Sequence, residues 1–498
     1  MDQFLPLHAA PISGASPDRS LDPRDWSAIR ALGHRMVDDM VDHLAGIGDG
    51  PVWTRMPDAL RGELREEALP RAGDGAEAAY AEFCRLVLPY ATCNVHPMFM
   101  GWVQGAGNPV GMLAELLAGA LNANLGGRDH APIEIERQVV RWAAEMLGFP
   151  ASASGLLVTG ASIANFIAVL VARTRVLGRE VRAEGLGSVQ LAAYASNAAH
   201  GCVPRALDMA GIGADQLRSI PCDGAQRIRI DALEERIEAD RRAGVAPFLV
   251  VGTAGTVDTG AVDDLEALAD FCRAKRLSFH VDAALGALAT LSPRRRGMLS
   301  GIERADSVAF DFHKWGQVPY DAGCILVRDG ADQLAAFGQD VAYLQREARG
   351  LAAGHPWPCD LGPDLSRGFR ALKVWMTLKA YGADRLGAVV DRCCDLAQRL
   401  ASCVAAEPFL ELLAPVVLNI VCFRVRPDED WDGAELDRLN RDLVADLQEA
   451  GIAAPSTTTV GGKLAIRAAF VNHRTTECDV DRLVTAVLAA ARARGVRV

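Results

Sequence analysis

SVAFDFHKWGQ, residues 307–317, is the stretch on which the reading of this chain turns. Val308, Phe310 and Phe312 alternate with Ala309, Asp311 and His313, the period of two that a strand imposes on its side chains. Lys314 follows, between a histidine and a tryptophan. Burying an unpartnered ammonium is costly. A lysine that ends an apolar strand therefore either reaches solvent or does chemistry.

Upstream of this stretch, strand and helix patterns alternate. SFHVDAALG (278–286) reads as a strand carrying Asp282, and FLVVGTAGT (248–256) as another. DLEALADFCRAKR (264–276) lies between them, with Leu265, Leu268, Ala269 and Cys272 on one helical stripe. SVQLAAYAS (188–196) is a strand leading to Asn197 and His200; GLLVTG (155–160) is a strand running into the helix ASIANFIAVLVARTRVL (161–177). Buried strands alternating with helices predict an α/β fold built on a mostly parallel sheet covered on both faces. Ligands of such sheets sit beyond the carboxyl ends of the strands.

Those ends carry a coherent set of groups. Gly160-Ala161-Ser162 opens a helix, whose free N–H groups and positive dipole end suit a phosphate. The stretch has neither GK[ST] nor GxGxxG, so it is neither a nucleotide P-loop nor a dinucleotide fingerprint. His200, Thr256, Asp282 and Lys314 end other strands. A lysine can form a Schiff base with an aldehyde. An aspartate can hold a pyridine nitrogen protonated, and the ring then serves as an electron sink. Pyridoxal phosphate is the cofactor these groups imply.

HPMFMGW (96–102), TGASIAN (159–165), SNAAHGCVPRAL (196–207), AGTVDTGAVDD (254–264), HVDAALG (280–286), FHKWGQ (312–317), RGFRALKVW (367–375) and VNHRTT (471–476) together resemble, in order, the pyridoxal-phosphate-dependent group II decarboxylases that act on aromatic amino acids, histidine and glutamate. The resemblance implies a fold-type I enzyme. It divides the chain into an N-terminal helical arm exchanged between subunits (1–85), a large cofactor-binding domain (86–385) and a small α+β domain (386–498). It makes Lys314 the Schiff-base lysine and Asp282 the partner of the pyridinium nitrogen. His200 stacks on one ring face with Ala284 against the other, and Ala161, Ser162 and Thr256 serve the phosphate. His313 orients the site, and Tyr343 supplies a proton from a mobile loop spanning 329–356. The implied reaction is decarboxylation of an L-amino acid to its amine, in a homodimer with the active site at the interface.

The chain departs from the pattern at several places. Asp311 stands where animal aromatic decarboxylases have asparagine on the phosphate side, a position where a carboxylate repels phosphate unless it points away. Val257 replaces a threonine near the cofactor. Asn94, Gly105, Asn124 and Gly126 replace larger pocket residues, while Trp102 keeps an aromatic wall; Arg128, His96 and His130 are further polar candidates for substrate contact. An aromatic amino acid is the first expectation, with an acidic or small one, or oxidative deamination to an aldehyde, as alternatives. An aminotransferase or other lyase, and a non-catalytic scaffold, compete less well with the His–Lys–Trp context.

The remaining features fit that assignment. The 498 residues are half hydrophobic, enough for a large core. A net charge of −11 disfavours nucleic acid or an anionic membrane surface as partner. Twelve cysteines without a CxxC pair, and an N-terminus without a basic, apolar leader, predict reduced thiols in a cytoplasmic protein. No apolar run reaches membrane-spanning length. Residues 26–47 place Ile29, Leu32, Met36, Val37, Met40, Val41 and Leu44 on one face of a helix that lacks a local partner. LLAPVVLNIVCFRV (412–425) reads as one strand-like run of the last domain, beside the strand KLAIRAAFV (463–471).

Overall fold

The computed structural model describes residues 20–339, 347–427 and 431–497. Its contacts gather into two units, Met1–Ile47 with Arg55–Ala91, and Gly48–Thr54 with Thr92–Val498.

The first unit holds the helices Trp26–Ala45, Asp58–Glu66 and Ala76–Leu86. Asp25 caps the first by accepting from the Ser27 N–H. The Tyr80 hydroxyl donates to Asp39 at 2.6 Å, tying the first helix to the third. Along Trp26–Ala45 only Leu32 is buried, and Trp26, Ile29, Met36 and Val41 are exposed.

The strands of the second unit are β1 (Phe99–Met100), β2 (Ser154–Val158), β3 (Leu191–Ser196), β4 (Leu217–Ile220), β5 (Ala246–Thr253), β6 (Ser278–Asp282), β7 (Ser307–Asp311), β8 (Gly323–Val327), β9 (Leu410–Leu412), β10 (Ile420–Val425), β11 (Ala454–Val460) and β12 (Lys463–Ala469). Seven form one sheet in the order β2-β8-β7-β6-β5-β3-β4. β8 runs antiparallel to both neighbours and every other pairing is parallel, as expected of a mostly parallel sheet.

All five residues of β7 are buried. The alternation in its sequence therefore separates two covered faces rather than core from water. Ala309 packs with Leu156, Val158 and Ile325 against Ile167 and Ala168 of the helix Ala161–Leu177. Val308 and Phe310 join the opposite cluster, with Leu157, Cys324 and residues of the helix Ala131–Met146. Fully burying side chains of this size contributes about 1.5–3 kcal/mol each.

The second sheet runs β1-β11-β12-β10-β9. Here the expected single strand 412–425 is two. β9 and β10 pair antiparallel, with Leu412 opposite Phe423, and the chain reverses between them. Pro415 lies in that reversal; without an N–H it cannot continue a ladder. Among the described residues no helix is long and apolar enough to cross a membrane.

One ion pair ties the helix Ala131–Met146 to the central sheet. Arg367 and Glu136 are each 3 % exposed. Arg367 donates to Glu136 Oε2 at 2.9 Å, to the Leu157 carbonyl at 2.6 Å and to the Leu125 carbonyl at 3.1 Å. Glu136 in turn accepts from the Leu157 N–H at 3.0 Å. Removing one partner strands the other as a buried charge. Arg367→Ala is expected to lower the stability of the folded chain by about 3–5 kcal/mol in denaturant unfolding; a loss below about 1 kcal/mol would contradict the placement of this pair.

Candidate active site

The groups singled out by sequence converge because the parallel strands end together. Asp282 is the last residue of β6, and Thr253, the last of β5, is its register partner. Asp311 ends β7 opposite Gly323 of β8. Gly160 caps the helix that follows β2, and His200 follows β3. At these ends lies a cavity of about 500 Å³, lined by Trp102, Ala161, Ser162, His200, Asp282, Ala284, His313 and Lys314 among the expected residues. Thr253, Cys202, Asp311 and Tyr320 also line it.

The backbone must pass close at two glycines. A Cβ at Gly323 would lie 2.4 Å from Gly160 Cα, and one at Gly105 would lie 2.1 Å from the His313 carbonyl oxygen. Gly105 is therefore a condition for seating the His313–Lys314 turn rather than a removed pocket side chain. Gly126 is similar, since its Cβ would meet the Leu365 carbonyl at 1.8 Å. Asn94 and Asn124 spend their side chains on backbone: Asn94 donates to the Gly105 carbonyl, and Asn124 accepts from the Gly126 and Arg367 N–H groups. None of these four lines the cavity.

Lys314 Nζ sits 3.0 Å from Asp311 Oδ2, with its side chain 21 % exposed to the cavity. The other Asp311 oxygen accepts from the Ala161 N–H at 2.8 Å. The carboxylate thus does not point away from the helix N-terminus, as the phosphate argument had required. It caps that terminus, and the lysine supplies the compensating charge. His313 is buried; its Nδ1 accepts from the Ala322 N–H at 3.1 Å, and its ring lies 4.3 Å from that of Tyr320. Burial holds the His313 imidazole below its ordinary range. Desolvation and the Asp311 charge push the Tyr320 phenol up to about 12, so it stays protonated.

Asp282 is 4 % exposed and forms no ion pair among the described residues. One oxygen accepts from the Ala284 N–H at 3.1 Å and the other lies 3.6 Å from Cys202 Sγ. A buried carboxylate with no cation is expensive, and it faces a cavity. Beside it the Thr253 hydroxyl is buried without a hydrogen-bond partner among the described residues. A cationic ring nitrogen would satisfy the first, and an anionic or hydroxyl-bearing cofactor the second. The donor set thus fits pyridoxal phosphate: an amine, an unpaired buried carboxylate and a helix N-terminus carrying Ser162.

Thr256 does not line the cavity. Its hydroxyl lies 3.0 Å from that of Thr259 and accepts from the Ala261 N–H, closing its own turn. Trp102 does line the cavity, but is 56 % exposed. Arg128 stacks over Trp357, and His96 accepts from the Met98 N–H; neither reaches the cavity. Tyr343 lies outside the described residues. Thr253, Cys202 and Tyr320 escaped the sequence reading. Thr253 carried a usable signal, since it ends the same apolar run that was read as continuing to Thr256.

Behind the cavity, His280 on β6 is buried between Ser307 and Asn165. Burial pushes its imidazole down to about 4, against the opposing pull of the Asp282 charge. A folded-state pKa below the unfolded value means that the unfolded chain binds the proton more readily. The stability contribution of neutral His280 is then complete above about pH 6.5 and is lost as pH falls toward 4. Compared with His280→Gln, the wild-type chain is expected to lose up to about 3 kcal/mol between pH 6.5 and 4 in paired denaturant titrations; parallel stability curves would contradict this.

Comparison with known proteins agrees with the geometry. A family profile described as the pyridoxal-dependent decarboxylase conserved domain matches residues 57–426. The chain is 34% identical over 468 residues to an aromatic-L-amino-acid decarboxylase of Bacillus atrophaeus, covering 93% of this chain and 95% of that one. It is 33% identical over 436 residues to the aromatic-L-amino-acid decarboxylase of Sus scrofa, covering 83% and 87%. A crystal structure of Oryza sativa TDC with PLP and tryptamine superposes with a TM-score of 0.87 at 26% identity, covering 95% of this chain and 100% of that one. The chain is thus a carboxy-lyase that uses pyridoxal phosphate on an amino acid, and it belongs to the pyridoxal-dependent decarboxylase family.

Proposed function

We propose that the amino acid is aromatic, that the product is its amine, and that the sequence-assigned residues carry the work in a homodimer. The observation that carries this reading is the meeting, in one cavity, of Lys314 with the buried, cation-free carboxylate of Asp282. Bound pyridoxal phosphate supplies the electron sink for the carbon that loses carbon dioxide. Lys314 anchors the cofactor through its Nζ. Asp282 holds a proton at the pyridine nitrogen. Ala161 and Ser162 open the helix whose N-terminus receives the phosphate, Asp311 holding the Ala161 N–H and Ser162 donating to the phosphate. His200 covers one ring face and Ala284 the other, while His313, fixed by the Ala322 N–H, orients the lysine turn. Tyr343, together with His200, is assigned the proton delivered to the substrate carbon.

Trp102 supports an aromatic substrate, as do the relatives named above. Two exposed apolar helix faces support the dimer. Trp26–Ala45 shows Ile29, Met36 and Val41, and Pro109–Leu121 shows Leu113, Leu116, Leu117 and Leu121. Exposed apolar residues gathered on a helix mark an interface. The proposed organisation keeps residues 1–85 as the exchanged arm, 86–385 as the cofactor domain, 386–498 as the small domain, and a cytoplasmic location.

The test is a panel of L-amino acids scored for carbon dioxide, amine, aldehyde and peroxide, with Lys314→Ala as control. Aromatic members are expected to give carbon dioxide and amine in equal amounts, with turnover falling roughly a thousandfold in the variant, the scale of one catalytic group. Turnover confined to acidic amino acids, or aldehyde with peroxide in place of amine, would overturn the reading.

A further inference from the structure

We propose that Cys202 is a positioning residue for the cofactor's ring: its thiol donates to the Asp282 carboxylate at the end of a directed chain of buried hydrogen bonds, while its backbone N–H fixes the ring of His200. The inference rests on the assignment of Asp282 to the pyridine nitrogen.

Cys202 opens the helix Cys202–Met209 and lines the cavity, although it is only 6 % exposed. Its N–H donates to His200 Nδ1 at 3.1 Å. That makes Nδ1 an acceptor and leaves the neutral ring's proton on Nε2. Its Sγ lies 3.6 Å from Asp282 Oδ2, and no other side chain among the described residues donates to that carboxylate.

The direction of the chain follows from its middle, at Asn165. Asn165 Nδ2 donates to the Ala161 carbonyl at 2.8 Å, which fixes the orientation of the amide. The same Nδ2 lies 3.5 Å from Cys202 Sγ, so it donates to the sulfur and turns the S–H toward Asp282. Asn165 Oδ1 lies 2.9 Å from His280 Nε2, which must therefore carry a proton. His280 Nδ1 then accepts from the nearer of its two Ser307 partners, the hydroxyl at 2.8 Å, with the Ser307 carbonyl oxygen at 3.1 Å. Ser307, His280, Asn165 and Cys202 thus all donate in one direction, toward Asp282. All five residues are more than nine-tenths buried. Aligned donors in a low-dielectric interior polarise one another.

Burial and the Asp282 charge hold the Cys202 thiol far above its usual range, so it remains a donor. The charged or titratable groups facing it are Asp282, Lys314, Asp311 and His200, with His280 behind Asp282. Thr253, in register with Asp282 and with its buried hydroxyl unpartnered, lines the same cavity, so the arrangement faces a ligand and is not merely closed core packing. A donor to a carboxylate favours its charged form. A thiol is a weaker donor than a hydroxyl, so a serine in its place would hold the carboxylate's charge more strongly and let a proton shared with a bound ring nitrogen sit nearer the ring.

The experiment loads wild-type, Cys202→Ser, Cys202→Ala and Asp282→Asn proteins with pyridoxal phosphate labelled with nitrogen-15 in the ring, and reads the ring nitrogen by NMR. Relative to wild type, serine is expected to move the resonance toward the protonated side and alanine toward the unprotonated side; shifts of the opposite sense would overturn the proposal. Cys202→Ser keeps the shape of the side chain and a donor, so it decides the matter if the alanine variant does not yield loaded protein. Wild-type resonances in the Cys202 variants, with a displaced one in Asp282→Asn, would overturn the role of Cys202 alone. An unmoved resonance in Asp282→Asn would overturn the assignment of Asp282 and this proposal with it.

Discussion

The Asp311 carboxylate holds the site together. One oxygen caps the Ala161 N–H, which starts the helix after β2; the other holds the Lys314 ammonium after β7. β8 lies between those two strands in the sheet. The carboxylate therefore links the chain after β2 to the chain after β7, just beyond the last register pairs, Val158 with Gly323 and Gly323 with Asp311. An ammonium and a helix N-terminus are both positive. A single buried anion keeps them within one small cavity before any cofactor arrives.

The sheet's connectivity explains why the remaining groups meet there. Parallel strands deliver their carboxyl ends to one edge, so Thr253, Asp282 and Asp311 emerge side by side although they are far apart in sequence. The antiparallel β8 brings Gly323 to the same edge, where only a glycine permits the Gly160 turn to approach. Packing behind that edge is dry and polar at once. His280 and Asn165 occupy core positions and hydrogen-bond to each other there, and burial keeps the histidine neutral.

Much of this was legible in the sequence. The helix 161–177 was read with its observed limits, because Gly160 marks its start sharply, whereas the strand read over 278–286 begins as expected and ends earlier, at Asp282. Lys314, Asp282 and His200 could be placed by chemistry and family pattern together. What escaped reading depended on through-space contacts. The Asp311 carboxylate was read as an awkward neighbour of phosphate; its cap on Ala161 appears only when strand and helix ends meet. Thr256 looked like the cofactor threonine, yet its turn consumes its hydroxyl and leaves Thr253 at the cavity. Gly105, Gly126, Asn94 and Asn124 looked like an enlarged pocket, and all four serve the backbone instead. The reversal between β9 and β10 was hidden because its residues are as apolar as the strands they join.

The central claim is that Lys314 is the covalent anchor, with Asp311 as its counter-charge. Borohydride reduction of the holoprotein followed by peptide mass mapping tests it most directly. A single pyridoxyl adduct on the peptide containing Lys314 is the predicted result; an adduct on another lysine, or none at all, would contradict the account.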